Sequence, residues 1–318
     1  MTESPDSLDV SVIMPAYEAG KTIERALLSI AAQTQRPKEV IVVDDGSADD
    51  TVEIVRSLRH RMRGVELRLY RQPHLGPGAA RNRGLAASRG QYVAFLDSDD
   101  LWLPEKLERS LKALRSGGCD MVAHNIIEVS EQGERVIDCR SRWLKNPDDP
   151  LRTLFVRGYV SSSTVVARRD LVLAAGGFDP SLGSGQDYDL WLTILAQSRR
   201  FLVFNDALLR YHLFEGSITS RVDERLACNI AILRHHVHDL RRNPGPLVRP
   251  VVLRSLAIHL EAVRGHAARR RYRRALFSAL RTPVTILSGL VALKTAPYQR
   301  ANFMEEVTPL EAVPWLSS

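Results

Sequence analysis

Two aspartates one residue apart, Asp97 and Asp99, follow the apolar run at 92–96 (YVAFL) in the string Asp97-Ser98-Asp99-Asp100. Carboxylate oxygens at this spacing suit a hard divalent cation, Mg2+ or Mn2+, whose other ligands are waters and diphosphate oxygens. Such a cation neutralises the charge that develops on a phosphate leaving group. The same carboxylates would equally cap the helix expected to begin near Pro104. A second acidic string, Asp44-Asp45-Gly46-Ser47, closes the apolar run 39–43 (EVIVV). A carboxylate there can accept from the N3–H of a uracil ring or from a ribose hydroxyl, while Asp and Gly also suit a plain turn. The third string is Gln186-Asp187-Tyr188-Asp189-Leu190-Trp191, at the start of an expected helix. Asp187 is the candidate general base, because the dipole at a helix N-terminus favours its ionised form. Capping of that helix is the competing role. Finally, Pro15-Ala16-Tyr17-Glu18 ends the first apolar run, where Tyr17 could flank a base or rest on the core.

These strings need elements to hold them. Residues 10–15 read as a buried strand, and residues 21–33 as an amphipathic helix with Ile23, Ala26, Leu27 and Ile30 at spacings of three and four. Strands are expected at 39–43, 65–70, 92–96 and 121–129. Helices are expected at 50–59, 79–88 and 104–115, the second of these entered through the Gly76-Pro77-Gly78 turn and the last with a proline near its first turn. The alternation predicts an α/β fold with a mainly parallel sheet. Ligands in such sheets bind outside the carboxyl ends of the strands, where the acidic strings stand. Beyond residue 130 the pattern loosens. Residues 164–167 are apolar, 174–182 carry a Gly176-Gly177 turn, 188–197 read as a helix and 201–205 as a strand.

The 318 residues include 25% charged and 44% hydrophobic ones, which excludes a wholly disordered chain, a collagen-like repeat and a multi-span membrane protein. Cys119, Cys139 and Cys228 lie far apart without a CxxC, so neither a disulfide scaffold nor a cysteine zinc site is expected, and a reducing compartment fits. The polar, acidic N-terminus is expected to hold no signal peptide. The net charge of +7 is uneven: residues 1–220 carry 28 Lys and Arg against 30 Asp and Glu, whereas residues 221–318 carry 16 against 7. A basic segment of this kind suits an anionic membrane surface or a polyanion, or forms a solvated helical face. Twelve mostly apolar residues, 282–293, follow the arginines at 269–271 and 273–274. Spanning needs about twenty, so a segment lying in the interface is the expectation, with a helix packed on the first domain as the alternative.

Six strings occur in order: 11–17 (SVIMPAY), 42–47 (VVDDGS), 78–82 (GAARN), 94–100 (AFLDSDD), 176–179 (GGFD) and 186–191 (QDYDLW). Together they resemble family 2 of the glycosyltransferases, inverting enzymes of GT-A fold, over roughly residues 9–220. The resemblance implies a catalytic domain at 1–220, a Rossmann-like nucleotide-binding sheet flanked by helices; the residues themselves read as a helical, Arg-rich region at 221–318. It implies that Pro15, Tyr17, Glu18, Asp45, Arg81, Asp97 and Ser98 bind the nucleotide-sugar, with Asp45 on the base. Asp99, with Asp97, would hold Mn2+ or Mg2+, and Asp187 would deprotonate the acceptor hydroxyl. A UDP-sugar is the favoured donor, although guanine also offers an N–H to a carboxylate. The acceptor would be a glycan or a lipid-linked sugar in cell-surface polysaccharide or glycolipid synthesis. The setting would be cytoplasmic, peripheral on the inner face of the cell membrane.

The chain departs from the family pattern twice. Gln186 stands where many relatives have Glu, removing a negative charge beside the base. In Tyr211-His212-Leu213-Phe214 the histidine lies two places early, so His212 does not simply inherit a ligand role. The competing class is a catalytically inactive nucleotide-sugar-binding module on the same fold. Nucleic-acid binding by the arginine-rich region lacks stacking aromatics beyond Tyr272 and any reading motif, and no nucleic-acid partner is expected. A dinucleotide-binding dehydrogenase is set aside, because residues 76–81 (GPGAAR) do not form GxGxxG.

Overall fold

The apolar runs of the first hundred residues become parallel strands, and the segments between them become crossovers. The computed structural model describes residues 7–62, 64–212, 221–307 and 312–313. Strands β1 (Ser7–Ala16), β2 (Arg36–Asp44), β3 (Glu66–Arg71) and β4 (Tyr92–Phe95) alternate with α1 (Ile23–Ala31), α2 (Thr51–Ser57) and α3 (Pro77–Ala87). Helix α1 buries Ile23, Ala26, Leu27 and Ile30, the stripe its spacing requires. Then follow β5 (Leu101–Trp102), α4 (Lys106–Gly117), β6 (Met121–Ser130), β7 (Gly133–Ile137), α5 (Cys139–Trp143) and α6 (Pro150–Arg157). The sheet-forming half continues through β8 (Val166–Arg168), α7 (Arg169–Ala174), α8 (Gln186–Gln197) and β9 (Phe201–His212). Four helices complete the described chain: α9 (Val222–His236), α10 (Val248–Ala268), α11 (Tyr272–Leu280) and α12 (Thr282–Ala292).

The strands form one sheet in the order β3-β2-β1-β4-β8-β6-β9-β5, with β7 paired to β6. The expected parallel pairing holds from β3 to β4. Beyond it the sheet is mixed, because β8 enters antiparallel to both β4 and β6. Strand β9 runs past the expected residue 205 to His212. Its pairing with β6 shifts register around Asn125, and the Asn125 side chain donates to the Asn205 carbonyl at 2.9 Å. That irregularity carries the strand across the polar Asn205 and Asp206.

Alternate residues of the central strands enter different cores, as the pleat requires. Val12, Met14, Ala94 and Leu96 pack with α1, α2 and α4 residues. Ile13, Val93 and Phe95 face Phe178 and Trp191 on the other side. Leu226, Ile232 and Leu233 of α9 and Ile258 and Ala262 of α10 belong to that same second core.

A buried polar link also ties the two halves together. Asp189 of α8 is 1% exposed and is bonded by His236 of α9 at 2.8 Å and by Arg300 at 3.0 Å. Arg300 further donates to the carbonyls of Ala175 and Gly177. The other ring nitrogen of His236 meets Asp239 at 2.9 Å. Burial alone would lower the His236 pKa, but its two carboxylate partners outweigh burial and push it up to about 9. Burial alone would raise that of Asp189, and the His236 hydrogen bond overrides it and holds it low.

Two stability predictions follow from this packing. Helix α3 crosses β1 at Gly84, where a β-carbon would come within 2.5 Å of Cγ2 of the fully buried Ile13. Gly84→Val is therefore expected to lower unfolding stability by about 1–3 kcal/mol through overpacking, measured by urea denaturation. The His236 contribution is fully present below its unfolded pKa of about 6.5 and is lost as pH rises through about 9. Stability should fall across that alkaline window in the native protein, and His236→Asn should flatten the fall.

Candidate active site

The parallel strands β2, β1 and β4 end side by side, and each releases a functional segment at its carboxyl edge. Asp45 follows β2 and is 2% exposed. One of its oxygens accepts from Gln72 Nε2 at 2.6 Å and from the Leu75 amide at 2.9 Å. The other accepts from the Gly76 amide at 2.9 Å and lies 2.8 Å from His74 Nδ1. Asp45 thus fastens the 72–76 loop that leads into α3. A base that bonds to Asp45 must share or displace one of these partners.

Tyr17 is 49% exposed and stacks on His74, with ring centroids 4.0 Å apart. Nothing fits between rings so close, so a base would stack on an outer face of the pair or displace His74. Glu18 has a positive φ of 49°, its amide bonds to Ser47 Oγ, and its carboxylate accepts from the Ala48 amide at 2.7 Å. It clips the ends of β1 and β2 together. Pro15 is buried within β1, opposite Val43, so it shapes the strand end rather than lining an open face.

The segment after β4 keeps Asp97, Ser98 and Asp99 half-buried and hides Asp100. Asp97 accepts from Arg81 at 2.5 Å. Burial and then the neighbouring charge of Asp97 push the Asp99 pKa up to about 6. Two neighbouring half-buried carboxylates form a donor set that a divalent cation would satisfy. Among the described residues, no group of three or more His, Cys, Asp or Glu is placed to hold a metal alone.

Asp187 stands in the first turn of α8. Its carboxylate accepts from the Ser162 amide at 3.3 Å and the Ser162 hydroxyl at 3.2 Å. Burial raises its pKa, and the positive charge of Arg81 partly offsets the rise. Desolvation is the largest influence on this group and favours the proton, opposing the helix N-terminus, which favours the ionised form.

Arg81 proves central. Its side chain is 8% exposed, and the charges of Asp97, Asp187 and Asp99 together outweigh the cost of burying it. Helix α3 carries it, entered through Gly76 with φ 89° and Pro77 in the first turn. The adjacent Asn82 does not reach the site. Its amide exchanges two 2.7 Å hydrogen bonds with the backbone of Phe178. Gly177 must lack a side chain there, because its φ is +71° and a β-carbon would come within 2.6 Å of Asn82 Oδ1.

Sequence reasoning missed the 161–164 segment (SSST), whose hydroxyl run was its only signal. While Ser162 holds Asp187, the next residue, Ser163, receives the Asp97 amide at 3.2 Å and donates to Asp100 at 2.7 Å. One short segment therefore positions both acidic groups. Arg25 of α1 was missed as well; it donates to the Asp99 carbonyl at 3.2 Å. Gln186 turns inward, is 5% exposed and donates to the Leu182 carbonyl at 2.5 Å. A glutamate carboxylate could not make that bond, so the departure at this position is absorbed by the loop. His212 ends β9, and its backbone amide supports the Asp100 carboxylate. Leu213 and Phe214 lie outside the described residues.

The glycosyl transferase family 2 model matches residues 11–172, about half of the chain. The succinoglycan biosynthesis protein ExoO of Rhizobium meliloti is 33% identical over 73% of this chain and 70% of its own. The amylovoran biosynthesis glycosyltransferase AmsB of Erwinia amylovora is 30% identical over 65% of this chain and 70% of its own. Crystalline S. aureus TarS 1–349, in complex with UDP-GlcNAc, superposes with a TM-score of 0.65 at 21% identity, over 93% of this chain and 89% of that one. By its family match and its fold, the chain belongs to family 2 of the glycosyltransferases and has the GT-A fold.

Proposed function

We propose that the protein transfers a sugar from a nucleotide-sugar, a UDP-sugar by preference, to an acceptor hydroxyl with inversion at the anomeric carbon. The observation that carries this reading is the buried Arg81, paired with Asp97 at the strand ends and within the field of Asp99 and Asp187. The base would stack on the Tyr17 and His74 rings above Asp45, with Glu18 and Pro15 shaping the wall and Ser98 near the ribose. A uracil N3–H suits a carboxylate at that place, which is the reason for preferring uridine. Asp99 and Asp97 would hold Mn2+ or Mg2+, which when bound supplies charge neutralisation to the diphosphate.

The protein's own groups then divide the chemistry. Asp187, oriented by Ser162, takes the proton from the acceptor hydroxyl as its oxygen bonds to the anomeric carbon. The bond from that carbon to the diphosphate breaks on the opposite side, its electron pair leaving with the phosphate. One displacement of this kind inverts the centre without a covalent intermediate. Arg81 partly offsets the effect of burial on Asp187 and so favours the ionised form that accepts the proton. The names of ExoO and AmsB place those relatives in polysaccharide biosynthesis. They support a glycan or lipid-linked acceptor in the making of a surface polysaccharide.

Thermal shift against UDP, GDP, CDP and dTDP, each with and without Mn2+, tests the donor site. The expected outcome is a metal-dependent shift with UDP that disappears in Asp99→Ala. A shift with another nucleotide alone would overturn the uridine assignment. Asp187→Asn should keep that shift and lose transfer by at least about a hundredfold; retained transfer would remove Asp187 as the base.

The pH profile, taken at saturating Mn2+ so that titration of Asp99 does not set the acidic limb, gives a further test. Only the carboxylate of Asp187 accepts a proton, and its pKa is raised. Transfer should therefore fail, as pH drops, above the usual aspartate range of about 3.9. Arg81→Gln removes the charge that lowers this pKa and should move the acidic limb to higher pH.

A further inference from the structure

The C-terminal helices present a surface that the transfer chemistry does not use. Helix α10 buries Val251, Ser255, Ile258 and Ala262 on one side and leaves Leu253, Leu256 and Leu260 exposed. Their spacing of three and four makes them a stripe. Helix α11 leaves Leu276, Phe277 and Leu280 more than 60% exposed. Helix α12 leaves Val284, Leu287 and Val291 exposed, again at spacings of three and four. Apolar side chains exposed in this density on adjacent packed helices mark an interaction surface. The charge beside them identifies the partner. Residues 248–294 hold ten Lys and Arg against a single carboxylate, Glu261. That carboxylate is itself paired with Arg225. Arg270, Arg271 and Arg273 stand exposed in and after the turn between α10 and α11.

We infer that the α10–α12 layer docks on an anionic lipid bilayer and lies in its interface. Apolar stripes flanked by arginines match the two parts of such a surface, acyl chains below and charged headgroups above. Charge complementarity selects lipid over a second copy of this equally basic layer. By length and composition the stretch Tyr272–Ala292 could cross a membrane, but its packing opposes that. His259 of α10 bonds to Ser278 of α11 at 3.2 Å and to Thr285 of α12 at 2.7 Å. Gly289 lets α12 approach so closely that a β-carbon there would come within 2.7 Å of Val251. Arg281 separates α11 from α12 and would sit near the middle of any span. The layer therefore stays folded on the protein and offers its outer side. This inference is independent of the assignments of base, metal and donor.

The test is flotation of the full-length protein with phosphatidylcholine vesicles, with and without phosphatidylglycerol. Protein should rise with the anionic vesicles at low salt and stay behind with the neutral ones. Replacing Arg270, Arg271 and Arg273 together by glutamine should weaken partition about a hundredfold. Leu276→Ser with Leu280→Ser should weaken it at every salt concentration, while an unchanged cooperative thermal transition without nucleotide shows that the variants are folded. No flotation with anionic vesicles would overturn the inference. So would retention that resists both salt and alkaline carbonate, which indicates a span. Self-association through this layer, with flotation indifferent to the leucine replacements, or duplex DNA bound in preference to anionic vesicles would overturn it equally.

Discussion

One enclosed guanidinium governs the site. Arg81 is nearly removed from water yet lies within the field of Asp97, Asp99 and Asp187. Without it, three carboxylates would crowd one partly desolvated space, and each would resist ionisation. With it, the acidic groups remain close while their charges are partly balanced. Burial still outweighs that balance, so that Asp99 stands at about 6 and Asp187 is still raised. Desolvated carboxylates of this kind favour a cation at one end of the site and a proton acceptor at the other.

The position of Arg81 is set by backbone contacts more than by its own bonds. Helix α3 can bring it into the site because Gly84 lets the helix settle against Ile13. The next residue, Asn82, locks the helix to the chain at Phe178 through a pair of hydrogen bonds. On the opposite side, Ser162 and Ser163 divide their attention between Asp187 and the segment at Asp97. The groups proposed for the chemistry, Arg81, Asp97, Asp99 and Asp187, come from three separate stretches of chain. Two short connectors fix their separation, which is the kind of support that precise positioning needs.

How much of this was legible in the sequence depended on where the information lay. The strands from β1 to β4 and their helices were readable because burial on both faces writes continuous apolar runs and helical stripes. The acidic strings were readable because they interrupt those runs at strand ends. Strand β8 was not, because three residues are too few to show a period, and its partners lie far away in sequence. Arg81 was noticed, but nothing local to α3 announces that its charge meets residues 16 and 106 positions further along. Ser162 and Ser163 were hidden for the same reason, since a serine run has meaning only beside its partners. The inward turn of Gln186 could not be read either, because a motif position does not state which way a side chain points.

Helix α8 connects the two halves of the molecule electrostatically. Asp187 and Asp189 are two residues apart, so they project from different sides of the helix. Asp187 opens to the site and is balanced by Arg81, whereas Asp189 is buried and held by His236 and Arg300 from the C-terminal region. Arg300 also grips the carbonyls of Ala175 and Gly177, next to the Phe178 clamp that fixes α3. The same C-terminal region therefore supports both the helix of the proposed base and the anchor of the central arginine. This explains why a strongly basic segment is packed into the core of the catalytic half. The inner sides of its helices complete the frame of the site, and its outer side is left with the arginines and leucines that meet the surroundings.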